Sequence, residues 1–371
     1  MDFARTEGQK VLQARARAFS IEVIEPEARE YDERNLFPGE TFQKMGREGF
    51  LGLIVPAAYG GGGGGAVEYA ILCEEVARAS AAYIHNGHYQ TQRMLLHHGT
   101  EEQRRELLPR LASGEYLAAT AISEAGVGSS FSGMASRARK VEDGYILNGE
   151  KIHINDAAEA QLINFFAIAP SGLTVFLVET SIPGFRIMEK MDPIGLRASP
   201  IYSLGLAEYR LPANRRIGGE GQGVQVFFSA FNYSRIGNAS CLLGIGSAAL
   251  EKAIAIAKER KVGKQAVTSF QGIRWMAAEL FTRLEAASLL RDKAAWMEDQ
   301  GKDPARETSM AKLLAGEVSL ESVSQAIQIT GSYGCYRDAP FERYFRDAKS
   351  LCIAGGTLEV MKNNIARQIL D

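Results

Sequence analysis

Few residues in this 371-residue chain are equipped for chemistry, and they are widely scattered. His85 and His88 share an HxxH spacing. No third ligand stands near them in sequence, so they read as acid–base groups and no metal is expected. Glu124 offers a carboxylate inside the Gly- and Ser-rich stretch Ala121–Gly133 (AISEAGVGSSFSG), directly after the hydroxyl of Ser123. His153 is a lone imidazole in NGEKIHIN. Arg235 and Arg260 carry guanidinium groups, which suit phosphate oxygens. Near the end, Arg346–Thr357 reads RDAKSLCIAGGT, a helix running into a Gly355-Gly356-Thr357 turn. A peptide N–H in such a turn can polarise a carbonyl.

The elements that must hold these groups follow from periodicity. Residues 1–114 read as helical: Glu68–Ala79 alternates apolar and charged residues at helix period, Thr100-Glu101-Glu102 starts a helix and Ser113-Gly114 stops it. The six glycines Gly60–Gly65 lack a following Gly-Lys-Ser/Thr, so they read as a mobile loop between helices and not as a phosphate cradle. From Tyr116 to Gly218 the period shortens. Arg137–Val141 and Tyr145–Ile154 are expected strands, with turn signals at Asp143-Gly144 and Asn148-Gly149, and Thr174–Val178 is a short apolar run closed by Pro183-Gly184. From Gly223 onward long helices return. Ile273, Met276, Leu280, Leu284, Ala287, Leu290 and Ala294 form one core stripe, and a further helix covers Ala305–Thr330. The expected class is α+β, mainly α, with an N-terminal helical domain (1–115), a central β domain (116–220) and a C-terminal helical bundle (221–371).

Composition closes several alternatives. A hydrophobic content of 46% supports a large core, and a formal charge of −2 without basic blocks argues against a nucleic-acid or anionic-membrane surface. The N-terminus has no apolar leader and no run of 18 apolar residues occurs, which gives a soluble cytoplasmic expectation. Cys73, Cys241, Cys335 and Cys352 are dispersed and read as buried thiols.

Three blocks in order resemble the acyl-CoA dehydrogenase family: Ala121–Gly133, Gln328–Asp347 (QITGSYGCYRDAPFERYFRD) and the Ile353–Thr357 turn. Met191–Ala198 (MDPIGLRA), Leu211-Pro212 and Gly219–Gly223 fall between them where that family leaves its β domain. The resemblance covers nearly the whole chain. It implies a flavoprotein oxidoreductase of fatty acid metabolism, with FAD between β domain and bundle, an acyl-CoA substrate, a homotetramer or homodimer, and an electron-transfer flavoprotein as a possible partner.

Residue by residue, the resemblance places Ile122, Ser123, Gly128 and Ser129 against the flavin, with the Ser123 hydroxyl on its ring, and His153 and Asn155 where an aromatic residue and a hydroxyl are usual. Arg260, Gln328, Gly331 and Ser332 match positions at the FAD diphosphate, Arg260 reaching that of a neighbouring subunit; Thr357 and Glu359 match FAD contacts. Ser129, Asn232, Arg235, Gly355 and Gly356 match substrate positions. The sequence departs from the family in one chemical respect. The carboxylate that removes the substrate α-proton stands either at the turn, here Gly355, or just before the arginine, here Ser234, and neither can serve. Three readings stay open. The base has moved, with His85, His88 and Glu124 as candidates; the reaction is a lyase step like that of 3-sulfinopropionyl-CoA desulfinases, which also lack the glutamate; or the chain is a non-catalytic subunit of a hetero-oligomer.

Overall fold

The computed structural model describes residues 4–128 and 130–370. Six helices open the chain: α1 (Glu7–Phe19), α2 (Glu25–Arg34), α3 (Gly39–Arg47), α4 (Ala66–Ala77), α5 (Asn86–His98) and α6 (Glu101–Ser113). Thr6 and Thr100 cap α1 and α6 with reciprocal side-chain and backbone bonds three residues apart, and α6 ends at Gly114 with φ +79°. The expected α6 start and stop are the observed ones.

Eight strands follow: β1 (Ala118–Ala121), β2 (Arg137–Val141), β3 (Gly144–Asn155), β4 (Leu162–Ala169), β5 (Gly172–Glu179), β6 (Phe185–Lys190), β7 (Ile201–Pro212) and β8 (Arg216–Ile217). They form one sheet in the order β6-β7-β3-β2-β4-β5-β8, with β1 parallel to β4. The turn at Asp143-Gly144 joins β2 to β3 as expected. Asn148-Gly149 is no turn. It lies inside β3 at a register shift, where Gly149 has φ +155° and a Cβ would collide with Ser136.

Then come α7 (Gly223–Glu259), a short hairpin (Lys261–Val262 with Gln265–Ala266), α8 (Gln271–Asp299), α9 (Ala305–Thr330), α10 (Phe341–Ile353) and α11 (Leu358–Leu370). The sequence placed α9 at these same bounds. The helical, β, helical order expected from periodicity is the order adopted. By length and composition α7 could cross a membrane, but most of its apolar window is buried as the central helix against α4, α5, α8 and α9.

The glycine run is pinned. Gly62, Gly63 and Gly64 donate to the carbonyls of Gly52, Val55 and Leu53 at 2.8–2.9 Å, and a Cβ on Gly61 would overlap the Val55 carbonyl. Only glycines admit so close a backbone approach, which is a physical reason for the run different from mobility. The β domain docks on the bundle through α10. Leu196 donates to Asp347 at 2.6 Å and Arg346 donates to the Ile194 carbonyl at 3.0 Å, while Arg346 also reaches Asp32 of α2 at 2.6 and 3.0 Å. That contact holds the sheet against the helix that leads into the Gly355 turn.

Candidate active site

Two structural centres gather the candidate residues. The first is on the sheet. The Ser123 carbonyl, just past β1, accepts from Ile152 of β3 at 2.9 Å. Ile122 is buried and its carbonyl accepts from Lys151 at 3.0 Å. The next residue of β3, His153, is exposed with φ +60°, at a second register shift between Lys151 and Ile154. A strained bulge of this kind re-aims a side chain out of the ladder. Asn155 is exposed and donates to the carbonyl and hydroxyl oxygens of Ser199 at 3.2 and 3.1 Å. Gly128 is exposed, and Ser129 lies outside the described residues. The Ser123 backbone thus meets β3 beside His153, with Asn155 two residues further along that strand.

A separate group stands at the end of the bundle. Arg260 caps α7, and its Nη1 lies 3.4 Å from the Ile329 carbonyl. A Cβ on Gly331 would sit 2.5 Å from that guanidinium, and Gly331 (φ +65°, ψ −143°) holds a backbone shape reserved for glycine. Gln328 and Ser332 are exposed beside it. Among the described residues Arg260 has no carboxylate partner, so its charge is available to an anion. Thr357 accepts from Val360 at 3.3 Å at the start of α11, and Glu359 is exposed one residue into that helix. No hydrogen bond among the described residues links the sheet group to the bundle group.

The second centre is the Gly355 turn. Gly355 has φ +68° and Gly356 φ +102°. Arg235 donates to the Gly355 carbonyl at 3.3 Å and to Asn232 Oδ1 at 3.0 Å. Lys312 of α9 donates to the carbonyls of Ala354 and Gly356, the latter at 2.6 Å. Three successive carbonyls are therefore held by two cations. Lys312 has no solvent exposure, and burial followed by the charge of Arg235 pushes its pKa down to about 7. Ser234 is buried and its hydroxyl accepts from Gln90 of α5 at 3.1 Å, so it too is a neutral contact.

A pH experiment follows from Lys312. Below about pH 7 it is protonated in both states and the full burial penalty applies. Between about 7 and its ordinary value of about 10.4, the unfolded chain binds a proton that the folded chain has released, so stability rises with pH. Urea midpoints of the wild type should climb relative to Lys312→Met from pH 7 to 9.5; parallel curves would refute the shift.

The three base candidates lie elsewhere. His85 pairs through Nδ1 with Asp156 at 3.0 Å, and Asp156 also accepts from Ser199 at 2.9 Å. His88 is fully buried, contacts Gln92 at 2.8 Å, and burial followed by the neighbouring His85 lowers its pKa to about 3, which keeps it neutral. Phe42 packs on both rings. Glu124 is 6% exposed and accepts from Lys151 (2.7 Å), Ala135 (2.5 Å) and Ser136 (3.1 Å). Burial opposes its ionisation, but these bonds hold its pKa below the usual carboxylate range. No hydrogen bond or ion pair joins any of the three to the Gly355 turn among the described residues, and none of these residues forms a metal cluster of three.

Sequence reading missed Lys312, Asn86, Gln90 and Asn238. Asn86 donates to Asn238 Oδ1 at 2.8 Å, and a Cβ built on Gly355 would overlap the Asn238 amide nitrogen. One signal existed: Asn232, Arg235 and Asn238 recur every three residues, which puts them on one face of α7.

Family models for the N-terminal, middle and C-terminal domains of acyl-CoA dehydrogenase match residues 6–115, 119–208 and 221–370. A short-chain specific acyl-CoA dehydrogenase of Clostridium acetobutylicum is 34% identical over 377 residues, covering 100% of both chains. An acryloyl-CoA reductase (NADH) of Anaerotignum propionicum is 34% identical over 379 residues, covering 100% of this chain and 96% of the relative. The solved structure of butyryl-CoA dehydrogenase from Megasphaera elsdenii superposes with a TM-score of 0.97 at 31% identity, covering 100% of both.

Proposed function

The chain belongs to the acyl-CoA dehydrogenase family, and from that premise we propose that it binds FAD and a short or modified acyl-CoA thioester without using either of the family's carboxylate positions. Members of this family bind FAD. The residues here fit such a group. Ser123 meets β3 beside the exposed His153 and Asn155, and Arg260 over the Gly331 backbone suits a diphosphate. When bound, FAD supplies a hydride acceptor.

The single observation that carries the reading is the surround of Gly355. Nitrogen donors of Asn238, Lys312 and Arg235 face it, while Ser234 is engaged by Gln90. The turn can hold and polarise a thioester, because its peptide N–H groups survive loss of the side chain. It cannot take a proton. Arg235 and Asn232 on α7 orient the ligand from the other side.

Purification and anaerobic mixing test this. The protein is expected to be yellow, and short acyl-CoAs should perturb its flavin absorbance. Bleaching assigns hydride transfer with a relocated base. Product without bleaching favours the desulfinase-like lyase, which the empty carboxylate position supports. A colourless chain that takes up flavin only with a second polypeptide favours the partner-subunit reading. Neither bound flavin nor affinity for CoA esters refutes the proposal. The exposed Trp275, Phe281, Leu289 and Trp296 of α8 support assembly with further copies. Arg260→Ala should weaken FAD retention at least tenfold, as expected for one charge-assisted contact of about 1.5–3 kcal/mol; unchanged retention in equilibrium dialysis would remove Arg260 from the site.

A further inference from the structure

Resting on the acyl-CoA reading, we propose that the Gly355–Gly356 turn is an anion subsite, and that the substrate is an acyl-CoA whose acyl group carries its own carboxylate. The space that side chains at these two positions would fill is faced by donors. A Cβ on Gly355 would overlap Asn238 Nδ2 and lie 3.5 Å from Lys312 Nζ; one on Gly356 would lie 3.7 Å from Arg235 Nη2, with methyl groups of Met361 and Val360 on its other side. Both glycines are only half-buried, so the space opens outward, whereas Lys312, Asn238 and Arg235 are 0%, 2% and 7% exposed.

Charge makes the subsite unusual within this molecule. The other two cations with no exposure each have a carboxylate: Lys151 has Glu124 at 2.7 Å and Arg291 has Glu74 at 2.9 Å. Among the described residues, neither Lys312 nor Arg235 has a carboxylate within ion-pair distance, and both spend their protons on backbone carbonyls or the Asn232 amide. Burying two like charges side by side is costly unless an anion settles near them. The family's glutamate would be such an anion. The free protein relieves part of this cost by releasing the Lys312 proton; with glycine at this position, a compensating carboxylate comes only with a ligand.

Asn238 sets the chemistry of that ligand. A hydrogen-bond chain runs from the Tyr69 hydroxyl to Asn86 Oδ1 (3.1 Å) and from Asn86 Nδ2 to Asn238 Oδ1 (2.8 Å). It fixes the amide so that Nδ2 turns to the glycines as a donor. Gln90 and Ser234 extend the neutral polar lining between α5 and α7. A purely hydrocarbon acyl group would offer Asn238 Nδ2 no acceptor, which disfavours it.

The test uses the full-length, FAD-loaded protein and isothermal titration with free CoA, butyryl-CoA, succinyl-CoA and glutaryl-CoA at one salt concentration. Either acid-bearing thioester is expected to bind at least tenfold tighter than butyryl-CoA. Asn238→Asp, which keeps the amide's shape but adds a like charge, should cut that advantage below threefold; Asn238→Leu, which removes the donor without a charge, should also reduce it and covers a folding failure of the first variant. CoA binding with no preference for the acids overturns the subsite alone. A preference that survives both substitutions removes Asn238 from it. Failure of every CoA compound to bind overturns the acyl-CoA reading and the subsite with it.

Discussion

Glu124→Ala is expected to destabilise the protein by about 3–5 kcal/mol, the usual consequence of removing one partner of a buried ion pair. Lys151 would remain at 0% exposure, with Ile122's carbonyl at 3.0 Å and the Phe165 ring at 5.0 Å but no carboxylate. Burial already lowers its pKa to about 8, and the variant would lose the hydrogen bond and charge of Glu124 that oppose this shift. The amides of Ala135 and Ser136 would also lose their acceptor. Because Glu124 is held below its usual pKa, its contribution is present at neutral pH and is lost as pH falls through the folded value. The double variant Glu124→Ala/Lys151→Met should regain most of the loss, since no buried charge is then stranded. Urea midpoints of the four proteins decide it. A Glu124→Ala variant as stable as wild type but inactive would instead make this carboxylate a candidate base.

The same pair shows how much of the site the sequence could carry. Ser123 and His153 could be proposed from sequence because local motifs flank them: a Gly- and Ser-rich block in one case, NGEKIHIN in the other. The buried Lys151–Glu124 pair that ties β1 to β3 beside them was not, because its members are 27 residues apart and each looks like a solvated charge. Helices whose signals are local, α6 with its capping box and α9 between Pro304 and Gly331, were readable to within a residue. Asn148-Gly149 misled because the dipeptide that favours a two-residue turn also suits a bulge, and only the partner strand β7 decides between them. Asn238 and Lys312 escaped notice for a related reason. They converge on Gly355 from α7 and α9, and a single polar residue in an apolar helix gives no hint of the turn it meets.

Gly355→Glu, which places a carboxylate at the turn, is expected to lower stability by about 2–3 kcal/mol and to leave butyryl-CoA unable to bleach the proposed flavin rapidly. Gly355 has φ +68°, where an L-residue pays about 1–2 kcal/mol. Its Cβ would also overlap the Asn238 amide, which is fixed by Asn86 at 2.8 Å. Turning that amide away forfeits a hydrogen bond worth about 0.5–1.5 kcal/mol. A glutamate that did enter would stand between Lys312 and Arg235, whose charges stabilise carboxylate over carboxylic acid and make it a weak base. It would further occupy the proposed anion subsite, so the variant should lose its preference for succinyl-CoA over butyryl-CoA. Adding Asn238→Ala supplies the missing room. The double variant should recover part of the stability and reduce the flavin with butyryl-CoA faster than Gly355→Glu alone in stopped-flow mixing. If Gly355→Glu alone matches wild-type stability and bleaches the flavin, then Asn238 does not bar a side chain from the turn, and the proposed anion subsite falls with it.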